Sequence, residues 1–89
     1  MTFVATLARI PGPAAWVFVS VPDDHAPDSH GAFGRVPVVA TVDGRTWSTS
    51  VWWDTRAGWL LAVPARVRRH KDDGDEVEVD VELDPSRLG

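Results

Sequence analysis

The clearest pattern in the chain is a strict alternation near its end, where Glu76–Leu83 reads E-V-E-V-D-V-E-L. Successive side chains of a β-strand point to opposite faces of the sheet. One face of this segment therefore carries Val77, Val79, Val81 and Leu83, and the other carries the acids. We predict a strand whose four apolar residues all face the core while its carboxylates face water.

Two central segments predict a β-hairpin. Arg35–Val42 places valines and an alanine at alternate positions, and Arg45–Trp53 alternates in the same way. Asp43-Gly44 lies between them and is typical of a type I′ turn, in which glycine tolerates the positive φ. Pro37 cannot donate a backbone hydrogen bond, so it favours an edge strand or a bulge. Three shorter strands are predicted at Thr2–Arg9, Ala14–Val21 and Trp59–Val63.

Prolines and glycines mark the breaks between these strands. Pro22–Phe33 is polar and rich in helix breakers, so it predicts a surface loop. Pro64 suits the first position of a short helix. So little helix excludes a parallel α/β sheet, and an open sheet would leave its edges bare. We therefore predict an all-β fold, a small closed or nearly closed antiparallel β-barrel of about six strands with one short helix.

Length and composition limit the alternatives. The chain has 89 residues, 44% of them hydrophobic and 25% charged, which predicts one globular domain spanning residues 1–89. The absence of cysteine excludes a disulfide scaffold, a thiolate nucleophile and a cysteine zinc site. No apolar run reaches the roughly 20 residues of a membrane span, and no basic segment precedes the first apolar residues. We predict a soluble cytoplasmic protein without membrane partners.

The charge is divided unevenly along the chain. Residues 64–71 hold four cations and no acid, whereas residues 72–84 hold eight acids and no base. A basic block can bind phosphate or nucleic acid. However, the net charge of −4 repels a polyanion at long range. We favour the alternative in which the acidic strand neutralises the basic helix.

The chain has five tryptophans and no tyrosine. Trp16, Trp47 and Trp53 fall at strand positions that can fill the barrel, so we predict that they pack in the core. Alternation sends Trp52 to the face opposite Trp53. An exposed Trp52 would be an anchor for a partner or a flat ligand. The favoured alternative is that it packs under the helix or the Pro22–Phe33 loop.

A candidate binding site combines tryptophans with the basic helix. At helical spacing Arg66, Arg69 and His70 share one face, and Val67 faces the core. The predicted ligand-binding residues are Trp52, Trp59, Arg66, Arg69 and His70. The partner is a small ligand or another protein, and no cofactor is predicted.

A metal-dependent enzyme is a weaker hypothesis. The Pro22–Phe33 loop contains carboxylates and imidazoles that suit a divalent metal, at Asp23, Asp24, His25, Asp28 and His30. No regular element fixes their geometry, so a solvated loop is favoured. The chain also lacks a nucleophile elbow and a glycine-rich phosphate loop. We therefore predict no catalytic or metal-binding residues and a protein that is not an enzyme.

Most of the chain resembles a known family. The stretches W-V-F-V-S-V-P, T-V-D-G-R-T-W-S-T-S-V, G-W-L-L-A-V-P-A-R-V-R-R and G-D-E-V-E-V-D-V-E-L-D begin at Trp16, Thr41, Gly58 and Gly74. Together and in this order they resemble the family catalogued as domain of unknown function 1905. The resemblance implies a small β-barrel of the double-split type and supplies no catalytic residues. Family members occur alone or fused to a bacteriocin-protection domain. The chain departs from the family pattern at Ala57–Leu61 and His70.

The last third has a second resemblance. Gly58–Leu83 is similar to the half-barrel of swapped-hairpin regulators of the AbrB/MazE type, with a strand, a proline, a short basic helix, Gly-Asp and a strand. In those proteins two units interlace, usually from two chains, and the barrel binds DNA. This resemblance implies shared architecture more than shared function. It leaves a dimeric DNA-binding regulator as the alternative, and a monomer and a homodimer both remain open.

Overall fold

Seven antiparallel strands form a single sheet in the computed structural model, which describes residues 2–10, 16–26 and 34–87. The sheet order is β1-β7-β4-β5-β6-β3-β2, and a single short helix, α1, follows β6. The strands are β1 Phe3–Thr6, β2 Ala8–Arg9, β3 Val17–Val21, β4 Arg35–Val42, β5 Arg45–Asp54, β6 Gly58–Ala62 and β7 Glu76–Leu83, and α1 is Ala65–Arg68. Short 3₁₀ turns occupy Asp23–His25 and Pro85–Arg87.

The first segment of the chain nearly closes this sheet into a barrel. β1 pairs with β7 at one edge of the sheet, and β2 pairs with β3 at the other edge. Only Leu7 separates β1 from β2, so one continuous segment bridges both edges. Leu7 is buried, its N–H donates to Asp75 O (2.8 Å), and its carbonyl accepts from Gly74 N (2.8 Å). The predicted barrel is confirmed, and the break at Leu7 gives seven strands where the sequence predicts about six.

The core consists mostly of aliphatic side chains, above all valine, together with Trp59. The alternation predicted for β4 is confirmed, because Val36, Val38, Ala40 and Val42 are all buried. The buried residues of the described chain include no polar or charged side chain. Such a core is held by apolar burial, which contributes about 25 cal/mol per Å².

β7 follows the predicted register but is not buried along its whole length. Val77 and Val79 lie in the core, and Val81 packs against it. Leu83 is 36% exposed, so the prediction of four inward residues is wrong for the last of them. Leu83 forms the final pair of the ladder with Val38, beyond which the barrel wall ends.

Pro37 lies in a central strand, so the prediction of an edge strand is wrong. β4 pairs with β5 on one side and β7 on the other. The pairing with β7 stops at Val38, one residue before Pro37 is reached. The Pro37 carbonyl accepts from Asp84 N (3.0 Å). Since the N and O of a strand residue point to the same side, the missing N–H of Pro37 faces the end of β7 and removes no bond to β5.

The local turn and helix signals are largely confirmed. Asp43 and Gly44 have φ of 48° and 84°, and Val42 pairs with Arg45, as a two-residue type I′ turn requires. Pro64 stands one residue before α1, as its N-cap, and Val67 faces the core as predicted. In the part of the chain that the structure describes, no helix is both long and apolar enough to cross a membrane.

The burial of the tryptophans differs most from the prediction. Trp16 and Trp53 are 48% and 50% exposed, and Trp47 is only half-buried. Trp16 lies on the outer face, because Val17 and Val19 point inward and successive side chains alternate between the two faces. By alternation Trp53 belongs to the inner face of β5, but it lies near the end of that strand. There its ring makes a T-shaped contact with the ring of the buried Trp59.

Trp52 is also exposed, at 41% of its surface. The favoured prediction that it packs under the helix or the Pro22–Phe33 loop is therefore wrong. Its ring lies 4.8 Å from the Arg35 guanidinium, which pairs with it across β4 and β5. The arrangement is a cation–π contact on the outside of the barrel.

Candidate ligand-binding groove

A groove opens where β5 and β6 separate. The ladder between these strands runs from the Val51–Leu61 pair to the Asp54–Gly58 pair. Before Val51, β5 continues along β4, whereas the chain after Ala62 leaves the sheet through Pro64 into α1. The resulting space has a volume of about 430 Å³. Pro64, whose backbone is extended, lies between the end of β6 and the start of α1.

Three parts of the chain form the walls of this space, which we call the tryptophan groove. β5 contributes a tryptophan and two neutral polar residues, the start of β3 contributes a second tryptophan, and the β6–α1 segment contributes aliphatic residues and two arginines. The lining residues are Trp16, Val17, Trp47, Ser48, Thr49, Ala62, Val63, Pro64, Arg66 and Arg68.

The two indole rings of the groove are held by the surrounding structure. Trp16 stacks on Phe18 with ring centroids 5.9 Å apart and planes inclined by 14°. Its carbonyl accepts from Ile10 N (2.8 Å), which ties the start of β3 to the segment after β2. Trp47 packs against the core from β5. Each ring therefore has a fixed position and still presents surface to the groove.

One of the two groove arginines serves the structure. Arg68 donates from Nε to Val63 O (2.8 Å) and from Nη1 to Lys71 O (3.3 Å). Nearby, Arg45 Nη1 donates to Val67 O (2.9 Å). These bonds satisfy carbonyls around the short helix, which has few intrahelical partners for them. Arg68 is thereby fixed in the wall.

Arg66 is the other groove arginine, and its charge is not used in this way. Its side chain is exposed and lines the groove. Across the described residues 2–10, 16–26 and 34–87, Arg66 has no ion pair with a carboxylate. Among the residues that the structure describes, no acid lines the groove.

Direct ion pairs do not join the basic helix to the acidic strand within the described residues. Lys71 Nζ contacts Asp43 Oδ2 (2.9 Å) and Glu76 O (2.8 Å), so its carboxylate partner comes from the β4–β5 turn. In the described structure Arg66 and Arg69 pair with no carboxylate of β7. Asp72, the first acid of the acidic block, interacts electrostatically with Arg68, and mutual neutralisation of the two segments stays a prediction.

The family comparison agrees with the fold. A family model described as Domain of unknown function (DUF1905) matches residues 3–83. The chain belongs to the DUF1905 family. The matched region of this DUF1905 domain begins with β1 and ends with β7, so it includes every strand and the helix that form the groove. A search of curated proteins found no match.

The DUF1905 domain does not gather the five residues predicted from the sequence. Arg66 alone among them lines the tryptophan groove. Trp59 is buried, and Trp52 lies on the outer face beside Arg35. Arg69 and His70 are exposed beyond the end of α1, where Arg69 has a φ of 59°.

Sequence reasoning missed Trp16 and Trp47 as groove residues. Both are predicted to pack in the core because they fall at strand positions that can fill the barrel. The sequence does carry a signal for Trp16. By alternation it lies on the same face as Phe18, and Val17 and Val19 lie on the other, buried face. The groove itself had no such signal, because it depends on where β5 and β6 part.

The described residues do not form the metal site of the metal hypothesis. His25 packs its ring 4.8 Å from Phe3, and its Nε2 lies 3.9 Å from Asp24 Oδ2. Asp28 and His30 lie outside the described residues. Within residues 2–10, 16–26 and 34–87 of the DUF1905 domain, no three metal-ligating side chains come together.

Proposed function

We propose that this DUF1905 domain is a non-enzymatic binding module that holds the planar aromatic part of a small ligand in the tryptophan groove. The observation that carries the proposal is that Trp16 and Trp47 line one groove of about 430 Å³. That volume falls within the range of about 300–1,000 Å³ typical of small-molecule sites.

The physical basis is aromatic stacking combined with apolar burial. A flat ring that enters the groove covers the exposed part of Trp16, which is already backed by Phe18. Aromatic pairs contribute about 0.5–1.5 kcal/mol beyond the area that they bury. Because both indoles are already held in place, little side-chain entropy is lost on binding.

Two carboxylates with shifted pKa values have structural partners. Hydrogen bonds from the Ala57 and Arg56 amides lower the pKa of Asp54, and the Arg9 guanidinium lowers the pKa of Asp72. These bonds hold a turn and the barrel closure, and neither carboxylate is among the groove residues. The absence of catalysis and the cytoplasmic location stay predictions.

Binding is tested by NMR with a neutral aromatic probe. The ¹⁵N-labelled protein is titrated with 2-naphthamide while the indole Nε1–H signals are followed. We expect the signals of Trp16 and Trp47 to shift with one saturable dissociation constant. The signal of the exposed Trp52, which lies outside the groove, should not move with them.

A pair of matched variants distinguishes binding in the groove from non-specific binding to exposed tryptophans. Trp16→Ala should weaken binding about tenfold, because it removes one stacking surface. Trp52→Ala removes an equally exposed tryptophan elsewhere and should leave the affinity unchanged. Equal weakening by both variants, or shifts spread over all exposed tryptophans, would contradict the proposal. Saturable binding of a protein segment with no response to 2-naphthamide would identify a protein partner instead.

A further inference from the structure

The positive charge that a ligand can bind in the tryptophan groove comes from one side chain, that of Arg66. Two arginines line it, but Arg68 is already bonded to Val63 O and Lys71 O. Arg66 is exposed and has no ion pair within the described part of the chain. Its five N–H donors are therefore available to a ligand.

The lining of the groove around Arg66 favours an anion. The chain carries a net charge of −4, yet among the described residues the lining of the groove contains two arginines and no acid. Asp43 pairs with Lys71, and Asp72, which interacts electrostatically with Arg68, pairs with Arg9. The groove is thus a local positive site on an acidic molecule.

Taking the proposed function as its basis, we infer that the ligand is a planar aromatic oxyanion whose carboxylate or phosphate group binds Arg66 while its ring lies against Trp16 and Trp47. The guanidinium is planar and binds a carboxylate or phosphate through two parallel N–H···O bonds. Ser48 and Thr49, which also line the groove, bring no competing charge. Arg66 is then the residue that determines specificity, and Arg68 is a positioning residue that holds the wall.

Arg69 provides a matched control for Arg66. Both residues belong to the same basic segment, both are exposed, and neither forms an ion pair in the described structure. Only Arg66 lines the groove. Replacing either with glutamine changes the net charge of the protein equally, so a difference between the variants reports position and not overall charge.

The test compares probes of one shape and different charge. Dissociation constants are measured for 2-naphthoate, 2-naphthyl phosphate and neutral 2-naphthamide, with the wild type, Arg66→Gln and Arg69→Gln. We expect the wild type to bind at least one anion about tenfold more tightly than the amide. Arg66→Gln should abolish this preference and keep the amide affinity, whereas Arg69→Gln should keep both. Melting temperatures of the two variants check that each is folded.

The outcomes separate this inference from the proposed function. If all three probes bind equally well, or if Arg69→Gln removes the preference as completely as Arg66→Gln does, the inference is overturned and aromatic binding stands. If none of the probes binds, the proposed function itself fails. If the anions bind but Trp16→Ala has no effect, the anion site is separate from the aromatic groove and the inference also fails. The ratio of the two anion affinities identifies a carboxylate or a phosphate as the natural group.

Discussion

Asp43 joins three parts of the chain from one position in a tight turn. One carboxylate oxygen accepts from Glu78 N (2.9 Å), the other contacts Lys71 Nζ (2.9 Å), and its own N–H donates to Glu78 O (2.9 Å). The β4–β5 turn is thereby fixed to β7 and to the segment after α1. The bond from the Glu78 amide, followed by that from Lys71, lowers the pKa of Asp43.

We expect Asp43→Asn to reduce the free energy of unfolding by about 1 kcal/mol at neutral pH. Asparagine tolerates the positive φ and accepts the Glu78 bond but cannot attract Lys71 by charge. Because the folded pKa of Asp43 lies below its unfolded value, the ionised group stabilises the fold above that unfolded value, about 3.9. This stabilisation is lost as the pH falls through the folded pKa.

The measurement is urea unfolding of wild type and Asp43→Asn from pH 7 to pH 2. The difference between the two should be constant near neutrality and shrink below about pH 4. Glu82→Gln removes an exposed carboxylate from β7 and should show little difference at either end. A constant difference down to pH 2 would show that the charge of Asp43 does not contribute.

Gly44 tests the backbone of the same turn. A Cβ there would meet no atom within 4 Å, so any loss of stability must come from its φ of 84°. Gly44→Val should lower the free energy of unfolding by about 2 kcal/mol, because β-branched residues resist positive φ. Gly44→Asn should lower it clearly less, since asparagine enters this region more readily. Equal losses in denaturant titrations would argue against the turn strain.

At the scale of the elements, β7 shows how burial varies along one regular strand. Its pattern of alternation is uniform, but Val79 is fully buried and Leu83 is exposed at the end of the ladder. The difference arises from the neighbours of the strand: β1 and β4 both flank Val79, whereas at Leu83 only β4 remains.

The same substitution at these two positions should have different results. Val79→Asp should prevent folding, because it places an unpaired charge in an apolar core. Leu83→Asp should fold, with a loss of about 1–2 kcal/mol, since that side chain is 36% exposed and its charge can reach water. Circular dichroism and one-dimensional NMR distinguish the two. A folded Val79→Asp variant of normal stability would mean that β7 presents its other face to the core.

Features that depend on neighbours in sequence could be predicted, and features that depend on where strands end could not. The Asp43-Gly44 turn and the inward valines of β4 follow from local backbone preference and alternation. Alternation also predicts which face of the sheet Trp53 lies on, but it does not predict that the barrel ends next to Trp53 and leaves it exposed. The tryptophan groove exists because β6 leaves β5 after the Val51–Leu61 pair, which is a tertiary event with no local signal.

At the scale of the whole molecule, a single chain satisfies both edges of its own sheet. β1 and β2, linked by Leu7, pair with the strands that would otherwise be the edges, β7 and β3. Swapped-hairpin regulators complete their barrel with a second chain. In this domain the N-terminal segment of the same chain pairs with both of those strands.

We therefore expect a monomer without specific affinity for DNA. The net charge of −4 opposes association with a polyanion, and the barrel needs no second copy to close. Sedimentation velocity over a range of concentrations and a mobility shift with duplex DNA at low salt measure these properties. A dimer that binds duplex DNA with steep salt dependence would instead support the swapped-hairpin alternative.

The pairing of the first strand with the last has a consequence during protein synthesis. Phe3 finds its partner Val79 only after nearly the whole domain has been translated. Until β7 leaves the ribosome, the nascent chain exposes β1 and one side of β4, and such unpaired strands can associate with other chains. Completion of the barrel therefore waits until β7 has been synthesised, and contacts this distant in sequence tend to form slowly.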